Sequence, residues 1–287
     1  MIEFEGQRDS LPELVNPVMI CAFEGWNDAG DAASGAVLHL EEVWAARQVG
    51  EFDPEDYYDF QVSRPEVSID DNVRSITWPT TRLSIAHLAQ ANRDVILVHG
   101  IEPSMRWRSF TAELINVARE LGVEMVITLG SLLADTPHTR AVPVSGTSTS
   151  STISDRFGYE PSLYEGPTGI VGVIQDACAS AGMASVSLWA AVPHYVGAPP
   201  CPKATLALLA RVEDLLDLPV PLEDLPDESR AWQIGVDELA SEDDEIAAYV
   251  RQLEELVDTA ELPEATGDAI AREFERYLRR RGAEPPK

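Results

Sequence analysis

Apolar positions fall into two kinds of run along the chain. Residues 18–23, 94–101, 124–129 and 186–192 are short and nearly unbroken, the pattern of strands buried on both faces of a parallel sheet. Other segments keep a helical rhythm. Ala29, Ala33, Ala36, Val37, Leu40, Val43 and Trp44 recur along one face, small residues first and bulky ones last. They predict a helix whose first turns approach a neighbour closely. Between strand and helix lies Glu24-Gly25-Trp26-Asn27-Asp28. Gly25 and Asn27 suit a turn, Asp28 suits an N-cap, and Asp31 would stand near the positive end of the helix dipole. Phe110, Leu114, Val117, Ala118 and Leu121 stripe a second helix over 109–121, which Gly122 stops. Further helices are predicted over 169–181 and 204–216. Strand, helix, strand in this order predicts an α/β class with a parallel sheet and right-handed crossovers.

The remaining segments are less regular. Residues 56–62, with Tyr57, Tyr58 and Phe60, read as a strand. Residues 67–78 read as a strand or hairpin turning at Asp70-Asp71-Asn72, with Val73, Ser75 and Thr77 facing away from Ile76 and Trp78. Residues 1–16 form a polar lead-in with a short helix around 11–14. The hydroxyl-rich stretch 145–151 suits a surface loop or helix cap, with an anion cradle as the alternative. At Pro219-Val220-Pro221 the pattern changes, which predicts an α/β domain over 1–221 and a helical extension over 222–287. In the extension Ile246, Tyr249, Val250, Leu253, Leu256 and Val257 stripe a helix with Ser241 as its cap. A second helix over 266–281 carries Ile270, Phe274, Tyr277 and Leu278 and closes on Arg279-Arg280-Arg281, favourable at a helix C-terminus.

Charge narrows the function classes. The 287 residues include 49 acidic and 21 basic side chains, a formal net charge of -28. Such a surface repels phosphate backbones and anionic lipid, so neither nucleic acid nor membrane is an expected partner. No apolar run approaches the ~20 residues needed to span a bilayer, and residues 1–5 lack an apolar signal core. Cys21, Cys178 and Cys201 are few and scattered, which indicates no zinc site or disulfide framework and fits a reducing cytoplasm.

In a parallel sheet, ligands sit outside the carboxyl ends of the strands. That rule selects Glu24, Trp26, Asn27 and Asp28 after the first strand, Glu102 and Arg106 after the second, Asp135, His138 and Arg140 after the third, and His194 and Tyr195 after the fourth. Brought together, they would line a polar cleft. Glu24 and Asp28 could then offer oxygen ligands to magnesium, and a histidine with a carboxylate could act as a base. Each also has a structural reading: Asp28 as helix cap, Trp26 as packing or contact residue, His99 as a hydrogen-bonded core histidine, and His194-Tyr195 as a brace for the loop that Pro193 starts. No nucleophile elbow, zinc-protease, dinucleotide or phosphate-loop motif is present. No catalytic residue, cofactor or metal is therefore assigned.

Three stretches together resemble the proteasome-assembly-chaperone-like family. They are Phe23-Glu24-Gly25-Trp26-Asn27-Asp28-Ala29-Gly30-Asp31-Ala32-Ala33; then Gly169-Ile170-Val171-Gly172; then Ser187-Leu188-Trp189 with Pro193-His194-Tyr195-Val196 and Pro200-Cys201-Pro202-Lys203-Ala204. The resemblance covers roughly residues 15–220. It implies an α/β three-layer sandwich, phosphorylase/hydrolase-like, with helices on both faces of a mixed sheet. It also implies a non-catalytic protein-binding or assembly-chaperone role and closed homo-oligomers, a trimer before a dimer, with the protein partner unknown. The alternative is a hydrolase or phosphorylase-type enzyme using the strand-end cleft. Some archaeal relatives dock on proteasome rings through a C-terminal hydrophobic-tyrosine tail, whereas this chain ends Ala283-Glu284-Pro285-Pro286-Lys287, which puts tail docking in doubt.

Overall fold

The computed structural model describes residues 2–4, 13–70, 72–196 and 198–261. Among these residues ten strands form in chain order: β1 (Ile2–Phe4), β2 (Val18–Glu24), β3 (Arg47–Phe52), β4 (Glu66–Asp70), β5 (Val73–Thr77), β6 (Thr81–Leu88), β7 (Arg93–Ile101), β8 (Met125–Ala134), β9 (Val144–Ser148) and β10 (Ala184–Pro193). The helices are α1 (Ala32–Val43), α2 (Pro54–Tyr57), α3 (Trp107–Glu120), α4 (Ser151–Phe157), α5 (Ile170–Ser180), α6 (Pro202–Leu216), α7 (Leu225–Glu242) and α8 (Asp244–Glu261). Eight strands make one mixed sheet in the order β1-β3-β6-β7-β2-β8-β10-β9, and β4 and β5 pair separately. The four expected buried strands, β7, β2, β8 and β10, are its parallel centre. Antiparallel strands complete both flanks.

Alternation along β2 shows why the central strands are apolar throughout. Val18, Ile20 and Ala22 enter one core with residues of α1 and α6, while Met19, Cys21 and Phe23 enter the other with residues of α3 and α5. Both faces are covered from Val18 to Phe23, so none of those positions tolerates charge, and the first charged residue is Glu24 at the strand's end. The result is an α/β sandwich with helices on both faces, and α7 and α8 follow as C-terminal helices. All three cysteines are buried and free.

Several local expectations need correction. Residues 56–62 are not a strand. Pro54 opens the short α2, and the Asp53 side chain accepts from Glu55 N at 3.0 Å. Tyr57 is instead buried in an aromatic cluster, 5.7 Å from Phe52 and 5.3 Å from Phe110 between ring centroids. Asp28 does cap α1, but from one turn further back. A 3-10 turn, Ala29–Asp31, intervenes, and Asp28 accepts from Ala33 N at 2.6 Å and Ser34 N at 3.2 Å. Asp31 accordingly stands at the left-handed N-cap position of α1 rather than inside it. The cap of α8 is Asp243, which accepts from Glu245 N and Ile246 N, while Ser241 Oγ donates back to Glu238 O within α7. The hydroxyl-rich stretch forms edge strand β9 and the start of α4. Residues 13–14 form no helix, and positions 11–12, the helix over 266–281 and the chain's last residues lie outside the described residues.

Candidate functional site

The strand-end residues do not converge into one cleft. They separate into two polar clusters with an uncharged groove opening beside them.

The first cluster joins the loops after β2, β7 and β8. Asn27 Nδ2 donates to Glu102 Oε1 at 2.6 Å, and Ile170 N donates to the same oxygen at 2.8 Å. Glu102 thus caps α5 from a distant loop. Gly169, the residue before α5, cannot do so itself, since a Cβ there would lie 2.0 Å from Asn27 Oδ1. Asn27 O accepts from Ser131 N at 2.8 Å, and Ser131 Oγ reaches Asp28 Oδ1 at 3.2 Å. Burial raises the Asp28 carboxyl above its ordinary range, with the hydrogen bonds to Ser34, Ala33 and Ser131 opposing. Glu24 faces His99, whose Nε2 lies 3.3 Å from Glu24 Oε1. That contact holds the Glu24 carboxyl below its usual range against the effect of burial. His99 is buried as expected but is not a hydrogen-bonded core histidine: neither ring nitrogen makes a well-formed hydrogen bond among the described residues, and Nε2 meets Glu24 only as the 3.3 Å contact. Arg106 stands apart from this cluster, paired with Asp56 at 2.5 Å.

The second cluster ties the loops after β8 and β10 to the C-terminal helices. His138 is buried, with Nδ1 2.7 Å from Tyr195 Oη and Nε2 2.9 Å from Asp237 Oδ1 of α7. Tyr195 Oη also accepts from His138 N at 2.8 Å, and burial pushes the phenol up to about 12. Arg140 clasps Asp258 of α8 through Nε at 2.8 Å and Nη2 at 2.9 Å, and Nη1 reaches Glu254 at 3.0 Å. Its guanidinium lowers the Asp258 carboxyl, and Asp258 raises Arg140 in turn. His194 Nδ1 and Tyr249 Oη share Asp135 Oδ1 at 3.2 and 3.0 Å. Lys203, which the strand-end rule does not select, bonds Gln233 Oε1 at 2.8 Å, and burial lowers its amine.

The groove is what a search for charged chemistry misses. It has a volume of about 830 Å³ and opens between the ends of β2, β8 and β10 and edge strand β9. Trp26, Leu132, Leu133, Tyr164 and Trp189 supply most of its apolar wall, while Ser145, Thr147 and Gln175 supply hydroxyl and amide groups. No Asp, Glu, Lys, Arg or His lines it among the described residues. Trp26 is 64% exposed at its lip, so it is a surface residue and not a packed lid. The one sequence signal for this surface is Leu132-Leu133, apolar beyond the point where the buried pattern should end. Among the described residues no group of three or more His, Cys, Asp or Glu is placed to hold a metal, and no helix is long and apolar enough to cross a membrane.

The PAC2 family profile matches residues 22–240, from the middle of β2 nearly to the end of α7. The chain belongs to the PAC2 family. Among solved structures, a PAC2 family protein from Streptomyces avermitilis is 60% identical, with a TM-score of 0.78, covering 82% of this chain and 99% of that one. The Mycobacterium tuberculosis proteasome-assembly chaperone homologue Rv2125 is 53% identical, with a TM-score of 0.75, covering 81% and 99%. The archaeal proteasome activator PbaB of Pyrococcus furiosus shares the fold at 16% identity, with a TM-score of 0.67, covering 83% and 98%. No curated protein matches. The PAC2 match spans both polar clusters up to Asp237 and stops before α8, so Arg140's partners Glu254 and Asp258 lie beyond it.

Proposed function

We propose that this PAC2 protein is a non-catalytic, oligomeric protein-interaction module of assembly-chaperone type. It acts in the cytoplasm and engages its partner through its folded surface. The observation that supports this reading is the division of labour at the strand ends. Asn27, Asp28, Glu102, His138, Arg140 and Tyr195 are all engaged in bonds that hold loops and helices in place, while the open surface beside them is uncharged. Charge committed to internal bonds is poorly placed for turnover, whereas an exposed uncharged surface on a soluble chain marks an interaction site. The relatives named for proteasome assembly and activation point the same way.

On this reading the protein is a homo-oligomer, with a trimer favoured over a dimer, that binds a further protein. Purification from the native cell should retain a stoichiometric protein partner, and metabolite extraction of the same material should yield no stoichiometric small molecule. The enzyme alternative would run through Glu24 and His99, the pair least committed to scaffolding. Hydrolase or phosphorylase activity toward esters or nucleosides that disappears in Glu24→Gln would establish that alternative and overturn the present one.

A further inference from the structure

Ribbon β4–β5 stands off the main sheet, and each of its strand residues is exposed. Its two faces differ. Val67 pairs with Ile76 and Ile69 with Arg74, so these four side chains share one face. Ser68 and Ser75 share the other, their hydroxyls 2.7 Å apart. The first face leaves Val67 53%, Ile69 68% and Ile76 44% exposed, and Trp78, which follows on the same side, 45% exposed. An isolated two-stranded ribbon is marginal in water, and an apolar face on one demands cover.

The same chain carries a surface of matching character. The groove of about 830 Å³ is apolar and uncharged on a protein with a net charge of -28. Two such acidic copies repel wherever their charged surfaces meet, so an uncharged groove is where they can approach. Both features lie at the same rim of the sheet, outside the carboxyl ends of the parallel strands. The ribbon leads into β6, whose first residue pairs with Gly100 near the end of β7. The groove opens on the other flank, at β8, β10 and β9. A projecting element on one flank and a receptor on the other make a head-to-tail contact, which closes into a ring when the rotation allows.

We infer, resting on the oligomeric reading above, that the β4–β5 ribbon is an arm whose apolar face seats in the groove of a second copy of this chain. Two full-length variants test the contact. Ile69→Arg spoils the arm and keeps the groove; Leu133→Arg spoils the groove and keeps the arm. Both positions are exposed, Leu133 at 58%, so neither substitution disturbs a core. Thermal unfolding should confirm that both fold. By light scattering at micromolar concentration, each variant alone should fall from the wild-type oligomer to monomer mass. Mixed one to one, they should form a dimer, because one intact arm meets one intact groove. An oligomer unchanged in both variants overturns the arm-in-groove contact while leaving the oligomeric reading intact. Loss of assembly without recovery on mixing also overturns it, since a symmetric contact would behave so. A monomeric wild type overturns both and leaves the groove to another occupant.

Discussion

Glu102 is the sharpest test of whether the strand-end carboxylates are scaffolding or chemistry. Its Oε1 accepts from Asn27 Nδ2 at 2.6 Å and from Ile170 N at 2.8 Å. Asn27 and Ile170 are themselves buried, at 1% and 0% exposure. Truncation in Glu102→Ala therefore removes two hydrogen bonds to a charged acceptor and strands both donors. Such bonds contribute about 1.5–3 kcal/mol each, and Glu102 is only half-buried, so the lower end applies and the loss should be about 3 kcal/mol. Glu102→Gln keeps an acceptor oxygen and loses only the charge facing the helix N-terminus, so its cost should be about 1 kcal/mol or less. Urea unfolding measures both, and the alanine variant's midpoint should drop on the order of 1 M. Hydrogen exchange adds a local readout: the Ile170 amide should lose protection in Glu102→Ala and keep it in Glu102→Gln. The partners can be checked against each other in a double-mutant cycle with Asn27→Ala, where non-additivity above about 0.5 kcal/mol marks a real coupling. An alanine variant within about 0.5 kcal/mol of wild type would refute the reasoning, since surface changes that break nothing fall in that range.

Other perturbations have definite expected outcomes. Asp28→Ala should lower stability by about 1–2 kcal/mol through the lost bonds to Ala33 N and Ser34 N; the folded pKa of Asp28 is raised, so its ionised form opposes folding as pH rises through that value, and Asp28→Asn should cost less than alanine at pH 7 in denaturant melts. Gly30→Ala should lower the melting temperature, because Gly30 has φ +63° and a Cβ would meet Cys201 Cβ at 2.8 Å, a backbone penalty of about 1–2 kcal/mol before any clash. Arg140→Ala should speed amide exchange across α8 while leaving α1 unchanged. Asp258's folded pKa lies below its unfolded value, so the Arg140 clasp contributes above the ordinary carboxylate range and is lost as pH falls through the folded value; protease sensitivity of α8 should rise only at such acid pH.

The parallel centre was legible because burial on both faces leaves a continuous apolar run, which no other element of that length requires. The flanks were not. Strand β3 mixes Arg47, Gln48 and Glu51 with buried Val49, Gly50 and Phe52 and slips register between Gln48 and Gly50, so no clean alternation survives. Strand β6 carries Thr81, Ser84 and His87. Thr81 and Ser84 are buried, and Thr81 Oγ1 meets Tyr58 Oη at 2.7 Å, a satisfied polar contact that a hydrophobic count reads as loop. Helix α7 hid for a related reason: with only Leu225, Ser229, Val236 and Ala240 buried, its inward stripe is thin. At the strand ends, residue type and position name polar groups but not their partners. Arg140 and His138 turn toward α7 and α8, which lie about a hundred residues downstream. Glu102 turns toward a helix start whose own residue is glycine.

That glycine links the scaffold to the open surface. Gly169 gives up a side-chain cap so that Asn27 can lie against it, and Asn27 in turn bridges Glu102 and the Ser131 backbone. Residues so joined, or their immediate neighbours, also line the groove: Trp26, Ser131, Leu132, Thr168 and Gly169. The charged network therefore lies behind an uncharged wall and determines its shape without appearing on it. A preformed wall loses little ordering entropy when a partner docks, which favours binding by complementarity over induced closure. It also gives a structural role to carboxylates placed where an α/β enzyme would keep its catalytic groups. Glu102 Oε1 holds the start of α5 through Ile170 N and Asn27 Nδ2, so a substrate bound at that oxygen would have to displace those bonds.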